Sequence, residues 1–515
     1  MGITANLYDL RWILALAVLG LYFLQKARAY YRLRSFQGPW STGWSDLWHI
    51  WAILSLKSHL KYDEACRKYG PIARIGPNDL VTASPELILR MNAVRSPYSR
   101  TGWFYRSTRH RGDVDHMFSE MDEEKHVDLR HRMAAGYSGK ENVGLEKSID
   151  VHVAEFVQLF RSSYISTDTL AKPVDFAKKV QYLSLDVISD ISWGRPFGNL
   201  KGDRDVDGIA HSSEEGMWFF NFMLATGLHR ILHQPLIAPY VGVSVKDATG
   251  FGRLLANARD IIRERLQRDA AHNKRSDMIA SFFRHGLSED QILSETTLQM
   301  VAGADTTASA IATTLLYLMT HPRVYAKLQS EIDNVSSRVS SADDSGVISD
   351  ADARKLPYLQ AVIKESMRIH APVTNASPKR VPDSGDTVVI DGRSIFIPGG
   401  TNISYAVWTH RLDRRIFSED AASFRPERWL QEKDEERLAD MNRVHELGFG
   451  HGRYQCMGKF IASMEIGKAI FELMRNFDWS LARPDQPWTE GSYGGILAHK
   501  DMWVLASERK EVATS

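Results

Sequence analysis

Ser288-Glu-Asp-Gln291 is a capping-box start, and no helix breaker follows it until His321-Pro322. The stretch between is predicted as one helix of about 33 residues, or roughly 50 Å at the α-helical rise. Its middle, Met300-Val-Ala-Gly-Ala-Asp-Thr-Thr-Ala-Ser-Ala-Ile311, is small and apolar on most sides, so the helix should cross a core. Yet that middle carries Gly303, Asp305, Thr306 and Thr307. Glycine weakens a helix interior, and a buried Asp is costly unless paired. Two readings stand at this point. One is a tight helix crossing with hydroxyls bonded back to their own turn; the other is a groove beside a cofactor, with a polar relay pointing into it.

Helical periodicity dominates from about Ser148 to His370, while Gly70 to Ala83 and Thr387 to Ile397 alternate like strands of small sheets. Ser336 to Ser349, rich in Ser and Asp, reads as one exposed loop. Beyond Gly38-Pro39 there is no second apolar span, internal repeat or long linker. At 515 residues, 43% hydrophobic and 25% charged, the chain is neither disordered, collagen-like nor a coiled coil. The expected fold class is mainly α with minor β sheets, in a single large domain.

Lys and Arg total 64 against 63 Asp and Glu, so no electrostatic footprint points to nucleic acid. Cys66 and Cys456, far apart, exclude a disulfide framework and a four-cysteine zinc site. Each is inert core or a single special thiolate.

The run Trp12 to Leu24 is apolar and uncharged, and it reaches the roughly 20 residues of a bilayer span only with Ala5 to Arg11 added. A signal peptide is one alternative reading of so short a run. A buried core helix is the other alternative. Directly after the run, Gln25-Lys-Ala-Arg-Ala-Tyr-Tyr-Arg-Leu-Arg34 places four basic residues and two tyrosines, as a cytoplasmic flank and a headgroup layer require. The expected organisation is a membrane anchor over 1–26, a basic Gly/Pro hinge over 27–44, and one large cytosolic domain over 45–515.

Leu447-Gly-Phe-Gly-His-Gly-Arg-Tyr-Gln-Cys-Met-Gly-Lys459 precedes a helical pattern from Phe460 to Met474. Three glycines before a Cys and one after it fold backbone tightly around the sulfur, with a helix N-terminus just beyond. Backbone donors and a helix start favour the thiolate and should lower its pKa. The glycines lack the GxGxxG spacing of a nucleotide loop, and an inert buried Cys does not explain them.

Together these residues resemble a known family. Phe449-Gly-His-Gly-Arg-Tyr-Gln-Cys-Met-Gly458 is similar to the haem-ligand loop of the cytochromes P-450. Ala302-Gly-Ala-Asp-Thr-Thr307 resembles that family's oxygen-activation helix, Glu365-Ser-Met-Arg368 its Glu-x-x-Arg pair, and Pro426-Glu-Arg-Trp429 its later arginine motif. His126-x-x-x-Arg130 looks like the helix that reaches a haem propionate. Glu64/Arg67 and Glu472/Arg475 also fit Glu-x-x-Arg, but only Glu365/Arg368 lies between the Asp-Thr helix and the Cys loop. The order and spacing hold across essentially the whole chain. The Gly-x-Gly-Arg-Tyr-Gln-Cys version looks most like fungal enzymes of the pisatin demethylase group.

The resemblance implies a P-450 fold and a set of roles. Cys456 would be the fifth ligand of a heme b iron, with Phe449 shielding the sulfur and Gly303 beside the cofactor. Asp305 and Thr306 would deliver protons for oxygen activation. Glu365, Arg368 and Arg428 would form a buried network that assembles the pocket. His126, Arg130, Arg380 and Arg453 would meet the propionates; the family's usual basic residue two before the ligand is here Tyr454, with Arg453 displaced by one. The expected activity is a monooxygenase using O2 and electrons from NADPH through a separate cytochrome reductase, since the chain has no convincing flavin or nicotinamide motif. The surface around Arg453 and Lys459 would dock that reductase. Trp218 to Met223 and Ile231 to Val243 would roof the pocket, Trp103 to His116 would loop over the haem, and Val373 to Ala376 with Ile496 to Ala498 would line its sides. A lipophilic fungal secondary metabolite would be the substrate, with the protein a monomer on the endoplasmic reticulum membrane. The alternative is a haem-thiolate isomerase of peroxides or a carrier without oxygen activation.

Overall fold

The computed structural model describes residues 2–111, 114–234, 236–241, 243–268, 276–336, 346–375 and 377–509. The long helix runs Glu289–Met319, 31 residues, close to the predicted span. Its capping box is complete: Ser288 Oγ accepts from Gln291 N at 3.3 Å, and Gln291 Oε1 accepts from Ser288 N at 3.0 Å. Most of the chain packs around it. The helices Phe176–Trp193, Gly250–Arg268 and Lys459–Asn476 lie against it, and so does the strand Ile496–Lys500. Ile292, Ala304, Ile311 and Leu315 from the long helix join Phe156, Phe176, Trp193, Ile470 and Phe471 in one core. Each such large side chain contributes roughly 1.5–3 kcal/mol on burial.

The sheets are small and peripheral, as the alternation implied. One has five strands in the order Ile72–Arg74, Asp79–Thr82, Asn402–Tyr405, Lys379–Arg380, Ser99–Arg100, with only the second and third parallel. Asp386–Ile390 and Arg393–Ile397 form a hairpin turned by Asp391-Gly392, both at positive φ, the signature of a tight two-residue turn. A further hairpin pairs Thr489–Tyr493 with Ile496–Lys500. The Ser/Asp-rich stretch reaches into the core at Val347 and Ile348; its middle, 337–345, lies outside the described residues.

The N-terminal helix Gly2–Arg32 does not stop at residue 26 but continues into the basic flank. From Arg11 to Gln25 it touches nothing that shields it, so the apolar run is not a core helix. Contact with the domain begins at its end: Arg74 donates to Ala29 O at 3.0 Å and to Tyr30 O at 3.2 Å, and Tyr30 stacks on Trp44.

Candidate active site

The Cys456 loop is a backbone cage. Cys456 N donates to Phe449 O at 2.6 Å, closing it. Gly450 and Gly452 sit at φ 74° and 60°. A Cβ at Gly450 would lie 2.7 Å from Tyr454 O, and one at Gly452 would lie 2.4 Å from Asn92 O. No other residue fits either position without moving backbone. The loop leads into the helix Lys459–Asn476, and the amides of Gly458 and Lys459 point at the sulfur. The expected fall in thiol pKa does not follow. Burial pushes the Cys456 thiol up, and the Gly458 amide and the Arg130 guanidinium only pull against it. A coordinated metal cation reverses that balance and removes the proton outright. Cys66 is different: it is buried in the core, and burial alone pushes its thiol up to about 12.

Beneath the loop lies the Glu365 network. Arg368 makes a fork to Glu365, Nε to Oε2 and Nη2 to Oε1, both at 2.8 Å. Arg428 Nε reaches Oε1 at 2.9 Å, and Trp429 Nε1 reaches Oε2 at 2.9 Å. The remaining arginine donors run to carbonyls of Arg411, Phe417, Ala421 and Ser423, and Arg428 Nη1 also reaches Asp420 Oδ1 at 3.1 Å. Glu365 and Arg368 are both fully buried.

Beside the loop stands a second basic cluster, differently arranged. His126 is buried with both ring nitrogens unpartnered, and its pKa is pushed down to about 3 by burial and by Arg100, Arg130, Lys379 and Arg453 around it. Lys379 Nζ is buried, unpartnered, and 3.1 Å from the Tyr454 ring centroid. Arg130 acts electrostatically on Cys456. Among the described residues the one carboxylate here is Glu123, which accepts from Tyr454 OH at 2.5 Å and lies 3.8 Å from Arg453 and 4.0 Å from His126 Nδ1.

Three expectations need correction. Arg380 is not in this group: strand alternation turns it outward, where it pairs with Asp383 at 2.7 Å, and the same pleat turns Lys379 inward. Sequence reasoning missed Lys379 by one register step; the strand period was the signal that could have found it. Arg453 is not part of a docking surface either, because it turns inward and donates to Ser96 O at 2.6 Å. Of the proposed pair only Lys459 stays half-exposed, held by Glu446. Gly303 serves packing: its absent side chain would meet Ile188 Cγ1 at 3.0 Å on the neighbouring helix Phe176–Trp193. Ala302, not Gly303, is the residue left open in mid-helix.

The polar residues of the long helix divide between the two readings. Thr306 Oγ1 donates back to Ala302 O at 2.7 Å. Asp305 instead faces a cleft with Gln181, Glu214, Ile496, Ala498 and Lys500. Gln181 Nε2 donates to its Oδ1 at 2.9 Å and Ser213 Oγ to its Oδ2 at 3.3 Å, while burial pushes its pKa up to about 6. A carboxyl poised there exchanges protons near neutrality. The roof and loop segments also meet: Ser107, Phe219, Phe220, Leu232 and Val243 line a second cleft. Val373 bridges to Ile496, whereas Ala376 lies outside the described residues.

An iron porphyrin asks two things of a protein: an axial ligand and counter-charges for two carboxylates. The Cys456 sulfur in its amide cage meets the first demand, and cations without enough anions meet the second. The donor set fits the group, and it defines a haem-thiolate protein. Residues 42–502 match the Cytochrome P450 family, and the chain belongs to it. It is 38% identical over 491 residues to cytochrome P450 monooxygenase ABA1 of Pyricularia oryzae, covering 93% of each chain. It is 35% identical to cytochrome P450 monooxygenase aba1 of Botryotinia fuckeliana, covering 90% of this chain and 89% of that one. Against cytochrome P450 monooxygenase mpaDE of Penicillium brevicompactum, identity is 28%, over 94% of this chain and 56% of the longer relative. The chain is a haem-thiolate monooxygenase.

Proposed function

We propose that the chain hydroxylates or further oxidises a lipophilic small molecule of fungal secondary metabolism, on heme b with electrons from NADPH through a separate reductase. The single observation that carries the proton-handling part is Asp305, a half-buried carboxyl with its pKa pushed up to about 6, on the helix that also presents Thr306. Cys456 would hold the iron, Phe449 would cover its sulfur, and His126, Arg130, Lys379 and Arg453 would hold the propionates. When bound, the haem supplies dioxygen reduction and oxygen-atom insertion. Gln181 and Ser213 fix the Asp305 carboxyl, so a proton taken up there is passed along the helix toward the Thr306 hydroxyl.

Anchoring to the endoplasmic reticulum membrane, with the domain on the cytosolic side, rests on the exposed helix and its basic flank. Trp40, Leu47 and Trp51 are exposed near that helix, and so are Trp218, Ile231, Leu236 and Tyr240 on the roof. The helices Leu47–Leu54 and Ile209–Thr226 that carry several of them pack together, which suits a face dipping into lipid beside the route a lipophilic guest takes.

The test is product formed per NADPH consumed by the membrane-bound protein with reductase. Thr306→Ala should keep haem and substrate binding, because its hydroxyl bonds only its own turn. Positioned proton transfer contributes ~10²–10⁴-fold, so coupling should fall clearly, with hydrogen peroxide released in place of product. Coupling equal to the parent would make Thr306 a packing residue and favour the isomerase or carrier reading.

A further inference from the structure

Away from the Cys456 loop, three histidines gather on one carboxylate. Glu490 and His499 are directly opposed in the hairpin Thr489–Tyr493/Ile496–Lys500, so the register itself sets their side chains together on one face. His370, the residue that ends the helix Pro357–Ile369, bonds Glu490 Oε2 through Nε2. His499 Nε2 lies 3.1 Å from the same oxygen and 3.3 Å from His370 Nε2. On the far side His59 Nε2 sits 3.2 Å from Glu490 Oε1. Trp488 stacks on His499 at 3.9 Å, and Trp408 stands edge-on to His59 and His370.

Hydrogen bonding alone explains this poorly. Two imidazole N–H groups donating to one carboxylate oxygen spread apart around it, whereas these two nitrogens crowd to 3.3 Å. Ligands held at ~2.0–2.1 Å in a tetrahedron lie about 3.3–3.4 Å from one another; the two imidazole nitrogens are at that spacing, His499 and Glu490 are near it at 3.1 Å, and His370 sits closer to the carboxylate.

We propose that His370, His499 and Glu490 bind one divalent transition-metal ion of the zinc class, with His59 orienting Glu490 from its other oxygen. Two imidazoles and a carboxylate are a donor set zinc accepts, and an outer partner on the carboxylate is the usual accompaniment. The ion would staple the hairpin that lines the Asp305 cleft to the helix that carries Arg368, two residues before His370. It is separate from the haem and takes no part in oxygen chemistry.

The haem-loaded full-length protein, stripped with chelator and then given Zn²⁺, tests this directly. About one zinc per haem should survive gel filtration, as folded metal sites retain theirs. X-ray absorption at the zinc edge should show imidazole nitrogen and carboxylate oxygen, free of interference from iron. Zn²⁺ should also raise the thermal midpoint. Glu490→Gln, which keeps the shape, should weaken zinc binding at least tenfold while keeping the red-shifted band of the reduced carbonyl complex. Substoichiometric zinc in the parent, a sulfur-only shell, or Glu490→Gln binding zinc as the parent does would each overturn the proposal. Should Glu490→Gln fail to fold, the absorption spectrum of the parent decides alone. None of these readouts depends on turnover, so failure here leaves the monooxygenase reading untouched.

Discussion

Two buried basic clusters flank the Cys456 loop, and they are built on opposite plans. In the Glu365 network Arg368 forks the carboxylate, Arg428 bonds it once and pairs with Asp420 as well, and the spare donors pass to carbonyls. The His126 cluster gathers Arg100, Arg130, Lys379 and Arg453 around one glutamate, and leaves both His126 nitrogens, Lys379 Nζ and Arg453 Nε unpartnered. A closed network is finished when the chain folds. The open one is finished only by anions from elsewhere, and that difference separates a scaffold from a binding site.

The sharpest break falls between them, at the sulfur. Cys456→Ser should abolish the red-shifted absorption of the reduced carbonyl complex, since a hydroxyl cannot donate a thiolate's charge. Cys66→Ser should leave the spectrum unchanged. Survival of the band in Cys456→Ser would remove the reason for calling the open cluster a haem site.

The closed network comes next. Glu365→Ala leaves Arg368 buried without its anion and Arg428 with Asp420 alone, at a cost of about 3–5 kcal/mol. A urea midpoint unchanged by that substitution would show the fork to be dispensable.

Asp305 lies between the extremes, a carboxyl satisfied by two neutral donors but by no cation. Its folded pKa, about 6, is raised above the ordinary 3.8, so the folded chain holds the proton more tightly than the unfolded one. Its contribution to stability is therefore full below pH 3.8 and is lost as pH rises to about 6. Asp305→Asn keeps an acceptor for Gln181 and cannot ionise. It should flatten that part of the stability profile and gain on the order of 3 kcal/mol at pH 7, at the expense of turnover. Chemical denaturation between pH 4 and 7 checks this; parallel profiles for parent and variant would place the titration elsewhere.

How much of this could be read from the chain follows from the range of each interaction. Ser288 and Gln291 declare the long helix locally, because a capping box is complete within four residues. The cage around Cys456 is likewise local, since Gly450 and Gly452 need no distant partner to demand glycine. Lys379 and Arg380 are adjacent and equally charged; only the pleat, fixed by pairing with Asn402–Tyr405, decides which faces in. Gly303 failed for the same reason: its neighbour Ile188 is more than a hundred residues away. The Cys456 pKa went the other way because amide direction is local while burial is a property of the whole fold.

The smallest effect is also the one that tells the two plans apart by sign. Lys379 is fully buried, its Nζ unpartnered except for the Tyr454 ring, and burial together with Arg100 holds its pKa well below the ordinary 10.5. The unfolded chain therefore binds a proton that the folded haem-free chain releases, and stability rises with pH up to about 10.5. Lys379→Met removes that cost, so the haem-depleted chain should become slightly more stable at pH 7 and lose the slope. The same substitution deletes a counter-charge worth about 1.5–3 kcal/mol to a bound carboxylate, so haem should leave roughly ten to a hundred times more readily. Arg368→Met, the matching change in the closed network, should weaken both forms alike. The measurements are denaturation of haem-depleted protein and transfer of haem to an acceptor protein, run on both variants. A Lys379→Met chain destabilised in both states would show the open cluster to be a second closed scaffold.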